Sequence, residues 1–205
     1  MLKLFYGVGA CSRASHITLE EAGAAYEPIR LSLKDGEQRK PEYLALNPKG
    51  RVPTLVTDRG VLTETPAILA WIGQTFPDAT LVPSDPFAFA KVQAFNSYLC
   101  STVHVAHAHK QRGARWTDDP AALAAMTAYV PKSVGACFDL IEKEMFAGPW
   151  VMGDTFTICD PYLFTLAQWI EGDSIDPARF PRVLDHRTRM AKRPAVAKVL
   201  AREAG

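Results

Sequence analysis

The spacing of apolar residues changes near residue 77, and this change constrains the fold more than any other feature. Before it, short apolar runs alternate with helical patterns, which predicts the order β-α-β-α-β-β-α. After it, the pattern is helical almost throughout. The segment 77–86 at this boundary contains three prolines and two aspartates, which is typical of a linker. We therefore expect an α/β domain over 1–77, a linker over 78–86 and an all-helical domain over 87–205.

Glycine and proline residues tend to end helices and strands, and their positions set the expected bounds of the elements. The predicted strands are Leu2–Tyr6, Tyr26–Leu31, Thr54–Thr57 and Val61–Thr63. The predicted helices of the first domain are 12–22, 42–46 and 64–76. Those of the second domain are 87–113, 121–146, 160–170, 177–190 and 195–204.

Composition and charge argue against two classes of partner, nucleic acids and membranes. Of 205 residues, 48% are hydrophobic and 22% charged, which suits a packed globular chain. The formal net charge of +1 gives no support to a nucleic-acid partner. No run approaches the roughly 20 apolar residues that a membrane span needs, and the N-terminal residues lack the pattern of a secretory signal. We expect a cytoplasmic protein with no membrane partner.

One of the four cysteines is placed for chemistry. None forms a C-x-x-C pair, and Cys100, Cys137 and Cys159 fit buried apolar positions. Cys11 instead follows a glycine-containing turn at the start of a predicted helix. Free amides at a helix N-terminus and the nearby Arg13 favour a thiolate, so we expect a lowered pKa for Cys11. The alternative is a structural cysteine.

Two further features sit at loop–element junctions. Pro53 follows an irregular loop, and a cis bond there would expose the backbone of Val52 to an extended peptide, although trans is the commoner form. Glu64 and Thr65 begin a helix, where a hydroxyl and free amides either cap the helix or bind a carboxylate. Glu64 suits an ammonium group. With Cys11, these features predict a pocket for a short zwitterionic peptide that carries a thiol.

The motifs that carry these residues resemble one family. The stretch LFYGVGACSRASHITLEEAG, the loop NPKGRVPTL and the segment LTETPAIL are similar to glutathione transferases, most closely those of the bacterial beta class. The resemblance covers the whole chain. The stretch GDTFTICDPYLFTL resembles the family's signature for a central buried helix, and its Thr157 and Asp160 have the spacing of a capping box.

The resemblance implies a thioredoxin-like α/β N-terminal domain, an all-α C-terminal helical bundle, and assembly as a homodimer. Glutathione would be the co-substrate, with Cys11 beside its sulfur and Ser12 as an alternative hydroxyl donor. Pro53 would be cis. The residues implied to hold the rest of glutathione are Val52 for the cysteinyl backbone, Glu64 and Thr65 for the γ-glutamyl end, and Lys34 and Arg51 for the glycyl carboxylate.

His104 matches the family's histidine on the first long helix of the C-terminal domain. The lysine that often follows it is replaced here by Val105. At about 100° per residue, His107 shares the face of His104, whereas His109 points elsewhere. No carboxylate or cysteine completes a metal set, so we expect no metal. Asn96, Cys100 and Ser101 are candidates for the second-substrate site, and Trp116 either closes the pocket or packs in the core.

Three functions fit the resemblance. The first is conjugation of the glutathione thiolate to small electrophilic, largely apolar substrates. The second is thiol–disulfide exchange through a mixed disulfide between Cys11 and glutathione. The third is a glutathione-binding module with little catalysis, since a fold alone does not fix a function.

Overall fold

The computed structural model describes residues 1–205. Four strands form one sheet in the order β2-β1-β3-β4: β1 Leu2–Tyr6, β2 Tyr26–Arg30, β3 Thr54–Thr57 and β4 Gly60–Thr63. Strand β2 runs parallel to β1, whereas β3 is antiparallel to both β1 and β4. The parallel pair requires a crossover, which α1 (Ser12–Glu21) supplies. The predicted hairpin is confirmed, with Thr57 paired to Gly60 around a two-residue turn.

Two more helices complete the first part of the chain. A single turn, α2 (Pro41–Leu44), precedes β3, and α3 (Thr65–Thr75) follows β4 with a proline in its first turn. The sheet and these helices enclose a small apolar core made of Leu4, Tyr6, Leu19, Leu55, Ile68 and Ile72. The bounds lie within two residues of the expected ones, because glycine and proline terminate the elements locally.

The second part is helical, as expected. Its helices are α4 Pro86–Tyr98, α5 His104–Gln111, α6 Pro120–Leu140, α7 Cys159–Ala167, α8 Pro181–Ala191 and α9 Pro194–Ala204. The predicted helix over 87–113 is interrupted by a π-helical turn at Leu99–Val103, and the predicted helix over 121–146 ends in another at Ile141–Met145. None of these helices is both long and apolar enough to cross a membrane.

Helix α7 is the centre of the helical part, since all nine of its residues are buried. Asp160 accepts hydrogen bonds from the backbone N–H of Thr157 (2.7 Å) and Val151 (2.9 Å) and contacts Nε2 of His186 at 3.0 Å. Thr157 Oγ1 accepts from the N–H of Cys159 at 3.3 Å. The predicted capping box is therefore confirmed, and it also ties the loop before α7 to α8.

Helix α1 is held between the sheet and the helical part. Its Leu19 lies in the core beneath the sheet, whereas Ala14 and Ile17 are buried among side chains of the helical part. A helix with apolar contacts on two sides has little freedom to shift. This arrangement fixes the beginning of α1, and Cys11 with it, at the boundary between the two parts.

Candidate active site

A cleft of about 700 Å³ lies between the two parts of the chain. One wall, here called the thioredoxin-like wall, is made by the loops at 8–11, 50–53 and 64–66, with Leu33, Gln38 and Asn47 at its edge. The other, here called the helical wall, is made by the face of α5 and the side chains around it. The members of the helical wall are Cys100, His104, Val105, His107, Ala108, Gln111, Arg112, Arg115, Trp116, Tyr162 and Trp169.

Cys11 is the residue immediately before α1, and its Sγ donates a hydrogen bond to the Val52 carbonyl at 3.4 Å. Burial raises the pKa of the Cys11 thiol, and the Thr65 hydroxyl and the Arg112 charge only partly oppose this effect. The expectation of a lowered pKa was therefore wrong, because desolvation by the facing wall outweighs the helix N-terminus. Cys11 is a protonated hydrogen-bond donor at neutral pH.

The loop before β3 presents the backbone of Val52 to the cleft. The Val52–Pro53 peptide bond is cis, as the resemblance implies. Two buried side chains anchor the loop by donating to the Arg51 carbonyl: the Tyr43 hydroxyl at 2.6 Å and Asn47 Nδ2 at 2.8 Å. The position of Val52 is thus set by hydrogen bonds beneath the loop, and its outer edge stays open to a ligand.

Helix α3 begins at the cleft without a side-chain cap. Its first amides are free, and Thr65, the first helical residue, lines the cleft. Glu64 adopts φ 71°, ψ 123°, a backbone conformation that is rare outside glycine and concentrated at functional sites. Its carboxylate pairs with Lys49, whose Nζ also donates to Thr63 Oγ1 at 2.7 Å. An uncapped N-terminus beside a carboxylate suits the two charges of an α-amino acid.

Two expected site residues lie away from the cleft. Ser12 is fully buried, and its Oγ accepts from the Gly7 N–H at 3.1 Å and donates to the Gly7 carbonyl at 3.3 Å. Because these bonds satisfy the hydroxyl within the β1–α1 turn, the structure does not bring Ser12 to a bound sulfur. Lys34 is also absent from the lining, whereas Arg51 belongs to it. The structure thus brings one of the two expected cations to the cleft.

His104 begins α5 and faces the cleft beside Trp169, with 5.1 Å between ring centroids. His107 stacks on the same indole at 4.3 Å and pairs through Nδ1 with Asp173 at 2.7 Å. Burial, followed by repulsion from Arg112, lowers the pKa of His104 to about 3. His104 is therefore a neutral imidazole at physiological pH.

His109 packs against Trp116 at 4.5 Å, away from the other two histidines, as the helical spacing predicts. Trp116 lines the cleft and is 49% exposed, so it does not pack in the core. Of the second-substrate candidates, Cys100 lines the cleft, whereas Asn96 is fully buried and Ser101 donates to the Ser97 carbonyl at 2.8 Å.

The turn that carries Cys11 is fixed from the helical part. Trp169 Nε1 donates to the Gly9 carbonyl at 2.9 Å, and the Gly9 N–H donates to Glu203 at 2.9 Å. The same carboxylate accepts from Arg13 Nη2 at 2.6 Å, with only 3% of the Glu203 side chain exposed. Gly9 has φ 67°, a left-handed conformation that favours glycine. The two walls are therefore joined directly beside the site.

The lining residues that the sequence analysis missed include two arginines and two aromatic residues: Arg112, Arg115, Tyr162 and Trp169. Arg112 and Arg115 lie beyond Gln111, the last residue of α5, and Arg115 belongs to the 3₁₀ turn Gly113–Arg115, so the helical spacing of His104 does not extend to them. Tyr162 lies in α7 and Trp169 two residues after its end, and no local pattern marks them.

The N-terminal family model of glutathione S-transferase matches residues 1–74, and the C-terminal model matches residues 108–203. Glutathione S-transferase GstA of Escherichia coli O157:H7 is 32% identical to the chain over 98% of each. A maleylacetoacetate isomerase of Pseudomonas aeruginosa is 28% identical over 89% of this chain and 87% of the relative. The chain belongs to the glutathione S-transferase family.

Solved structures of glutathione transferases are also similar to the chain. A glutathione transferase homologue from Sulfitobacter, with bound glutathione, has a TM-score of 0.96 and 43% identity over 98% of each chain. A bacterial beta class glutathione S-transferase from Sphingomonas chungbukensis has a TM-score of 0.85 and 32% identity, again over 98% of each chain. The thioredoxin-like sheet followed by a helical domain is the fold of these proteins, and the predicted fold class is confirmed.

Proposed function

We propose that the chain binds glutathione in the cleft and transfers its thiolate to a small electrophile, as a member of the beta class. One observation carries the proposal: the thioredoxin-like wall brings together Cys11, the backbone of Val52 and the uncapped start of α3. A tripeptide with a thiol between two charged ends has groups that complement each of these three features. The glutathione-bound Sulfitobacter homologue supports the same choice of ligand.

Each part of glutathione has a partner in this proposal. The γ-glutamyl carboxylate accepts from the Thr65 hydroxyl and the free amides of α3, and its ammonium group pairs with Glu64. The cysteinyl backbone pairs with Val52 as a neighbouring strand would. Arg51 supplies the cation for the glycyl carboxylate. The sulfur then lies beside Cys11.

Cys11 acts as a hydrogen-bond donor in this mechanism. Because its own pKa is raised, the Cys11 thiol keeps its proton. Once the cysteinyl backbone of glutathione takes its place at the Val52 carbonyl, which accepts from Cys11 in the free protein, the thiol turns to donate toward the glutathione sulfur and stabilises the thiolate. The positive charge of Arg112 acts in the same direction. The thiolate attacks an electrophilic carbon, forming the S–C bond, and the displaced electron pair leaves with a leaving group or moves onto a neighbouring atom.

Thiol–disulfide exchange is the second candidate function, and the closeness of Cys11 to the proposed sulfur position favours it. In that reaction a Cys11 thiolate attacks a glutathionylated substrate, releases the substrate thiol and retains a mixed disulfide, which a second glutathione then resolves. The raised Cys11 pKa opposes this route at neutral pH. A binding module with little catalysis is the third candidate.

One pair of matched variants separates the candidates. Cys11→Ala removes the donor beside the sulfur, and Cys100→Ala removes the other cleft thiol as a control. We expect Cys11→Ala to lower conjugation of a model aryl halide about tenfold, the effect of one hydrogen bond to a charged group, with Cys100→Ala close to wild type. Loss of disulfide reduction with unchanged conjugation would favour the second candidate. Glutathione binding without either activity would favour the third.

Assembly and location remain predictions. A homodimer gives twice the chain mass by size-exclusion chromatography with light scattering, and a monomeric mass would contradict it. A cytoplasmic location is checked by fractionating cells of the source organism.

A further inference from the structure

The helical wall of the cleft is cationic. Arg112 and Arg115 follow the end of α5, with Arg115 in the short 3₁₀ turn Gly113–Arg115, and line the cleft together with His104. Arg51 lines the opposite side. Glu64 is the one acidic side chain in the lining, and Lys49 already pairs with it. The cleft therefore holds three guanidinium groups whose charge no lining carboxylate balances.

The unbalanced charge is clearest at Arg112, where individual guanidinium nitrogens have no partner. Its Nε and Nη2 are buried and have no hydrogen-bond partner in the protein. Buried donors are nearly always bonded to protein or to water, and a guanidinium keeps its charge, so two unpaired donors beside a cleft leave Arg112 able to bind an anion from outside the chain. Burial and repulsion from Arg51 lower the pKa of Arg112, although Asp173, which already pairs with His107 outside the lining, acts in the opposite direction. Burial with repulsion from Arg51 and Arg112 lowers the pKa of Arg115.

Glutathione, as proposed above, accounts for one of the three cations. Its γ-glutamyl carboxylate lies at the start of α3 and its glycyl carboxylate at Arg51, both on the thioredoxin-like wall. Arg112 and Arg115 extend from the facing wall, which His104 also lines, where the electrophile enters. They remain available after glutathione is bound.

We propose that the second substrate is anionic: a small electrophile with a carboxylate held by Arg112 and attracted by Arg115. This inference rests on the proposed function and replaces the expectation of a largely apolar substrate. A planar guanidinium binds a carboxylate through two parallel hydrogen bonds, which orients the electrophilic carbon as well as holding it. The preference is for anionic over neutral acceptors with the same skeleton.

An unsaturated acid illustrates a balanced reaction. The glutathione thiol gives its proton to solvent, the sulfur lone pair forms a bond to the β-carbon of the C=C, and the π electrons move to the α-carbon. The α-carbon then takes a proton from water. The net change is addition of S–H across the double bond, the substrate carboxylate is unchanged, and no oxidant or leaving group is needed.

A pair of esters tests the inference. Monoethyl fumarate is an anion and diethyl fumarate is its neutral counterpart, and each enzymatic kcat/KM is divided by the uncatalysed rate constant with glutathione. We expect the wild-type enhancement to be about tenfold or more greater for the anion, the worth of one charge-assisted interaction. About 1 M NaCl reduces this ratio, because salt screens the attraction.

Variants of Arg112 and Arg115 test whether these residues cause the preference for the anionic ester. Arg112→Gln and Arg115→Gln are each expected to lower the ratio severalfold, and Arg112→Lys to restore part of it. Arg115 is exposed, so its variant tests the inference even where Arg112→Gln folds poorly. Arg59→Gln removes the same charge from the exposed β3–β4 turn, outside the cleft, and leaves the ratio at the wild-type value.

The failures are distinguishable. Equal enhancement of both esters by the wild type overturns the inference and leaves the proposed function standing. The inference is also overturned if both arginine variants raise the KM for glutathione and leave the ratio of monoethyl to diethyl fumarate enhancement unchanged. The arginines would then bind the glycyl carboxylate. Enhancement of neither ester, together with no turnover of a neutral aryl halide, overturns the proposed function and the inference together.

Discussion

The two walls of the cleft are built in different ways. The thioredoxin-like wall offers mainly backbone groups: the Val52 edge and the free amides that begin α3. The helical wall offers side chains, chiefly His104, Arg112 and Arg115. Backbone groups at a turn recognise a constant peptide, whereas side chains on a helix face can change between proteins without altering the fold. The first wall therefore suits glutathione and the second a variable electrophile.

The largest expected effect comes from breaking the link between the walls. Glu203→Gln leaves Arg13 without its carboxylate, although only 12% of the Arg13 side chain is exposed, and leaves only a neutral amide oxygen to accept from the Gly9 N–H. We expect the free energy of unfolding to fall by about 3 kcal/mol, as when one partner of a buried pair is lost. Denaturant titration measures this loss.

Glu27→Gln is the matched control, because the Lys3–Glu27 pair is about half exposed. Exposed pairs contribute roughly 0 to 1 kcal/mol, so this variant should lie close to wild type. Equal losses in the two variants would contradict a structural link between the walls at Glu203.

A second change removes the side-chain donor from the thioredoxin-like wall. Thr65→Val keeps the shape of the residue and deletes the hydroxyl at the start of α3. We expect the Kd for glutathione to rise about 10- to 100-fold, since a hydrogen bond to a charged group contributes about 1.5–3 kcal/mol. Calorimetric titration measures Kd. Thr75→Val, at the exposed other end of α3, is the control, and equal affinity of the two variants would argue against a carboxylate site here.

The third prediction uses pH to test the helical wall. The folded protein keeps His104 neutral, with a pKa of about 3, whereas an unfolded chain protonates it below about pH 6.5. Stability associated with His104 is therefore complete above pH 6.5 and is lost as the pH falls toward 3. Between about pH 7.5 and 5, wild type should lose roughly 1–2 kcal/mol more than His104→Gln.

His109→Gln, on the same helix but outside the cleft lining, provides the comparison. It should lose the same stability as wild type over this pH interval. If His104→Gln and wild type lose the same stability over this pH interval, the His104 imidazole is protonated in the folded protein. That result would contradict a buried site among arginines.

The smallest expected effect concerns the indole that reaches across the cleft. Trp169→Phe deletes the donor to the Gly9 carbonyl and keeps most of the ring that His107 stacks on. We expect about 1 kcal/mol of destabilisation and a severalfold rise in Kd for glutathione. Trp71→Phe, at a partly buried position packed against the core beneath the sheet, should leave Kd unchanged. A similar Kd in both variants would mean that the turn before α1 is held without Trp169.

The contrast between the two walls also explains which parts of the structure could be predicted from the sequence. Local signals predict much of the thioredoxin-like part: Gly60 closes the hairpin and Pro66 starts α3. In the helical part, the spacing of Thr157 and Asp160 likewise predicts the start of α7. The cis bond before Pro53 came from the family resemblance, since sequence statistics alone favour trans.

The helical wall was less predictable because it depends on long-range contacts. The π-helical turn at Leu99–Val103 interrupts the predicted helix over 87–113, and no local pattern marks it. The raised pKa of Cys11 follows from burial by a distant part of the chain. Ser12 could not be assigned from its place beside Cys11, because its hydroxyl is satisfied by Gly7.

A crystal structure with bound glutathione tests the central claim most directly. We predict a γ-glutamyl carboxylate on the start of α3, a cysteinyl backbone paired with Val52, and a sulfur within hydrogen-bonding distance of Cys11 Sγ, leaving Arg112 and Arg115 open to a second ligand. Glutathione bound elsewhere, or with its sulfur turned away from Cys11, would contradict the account.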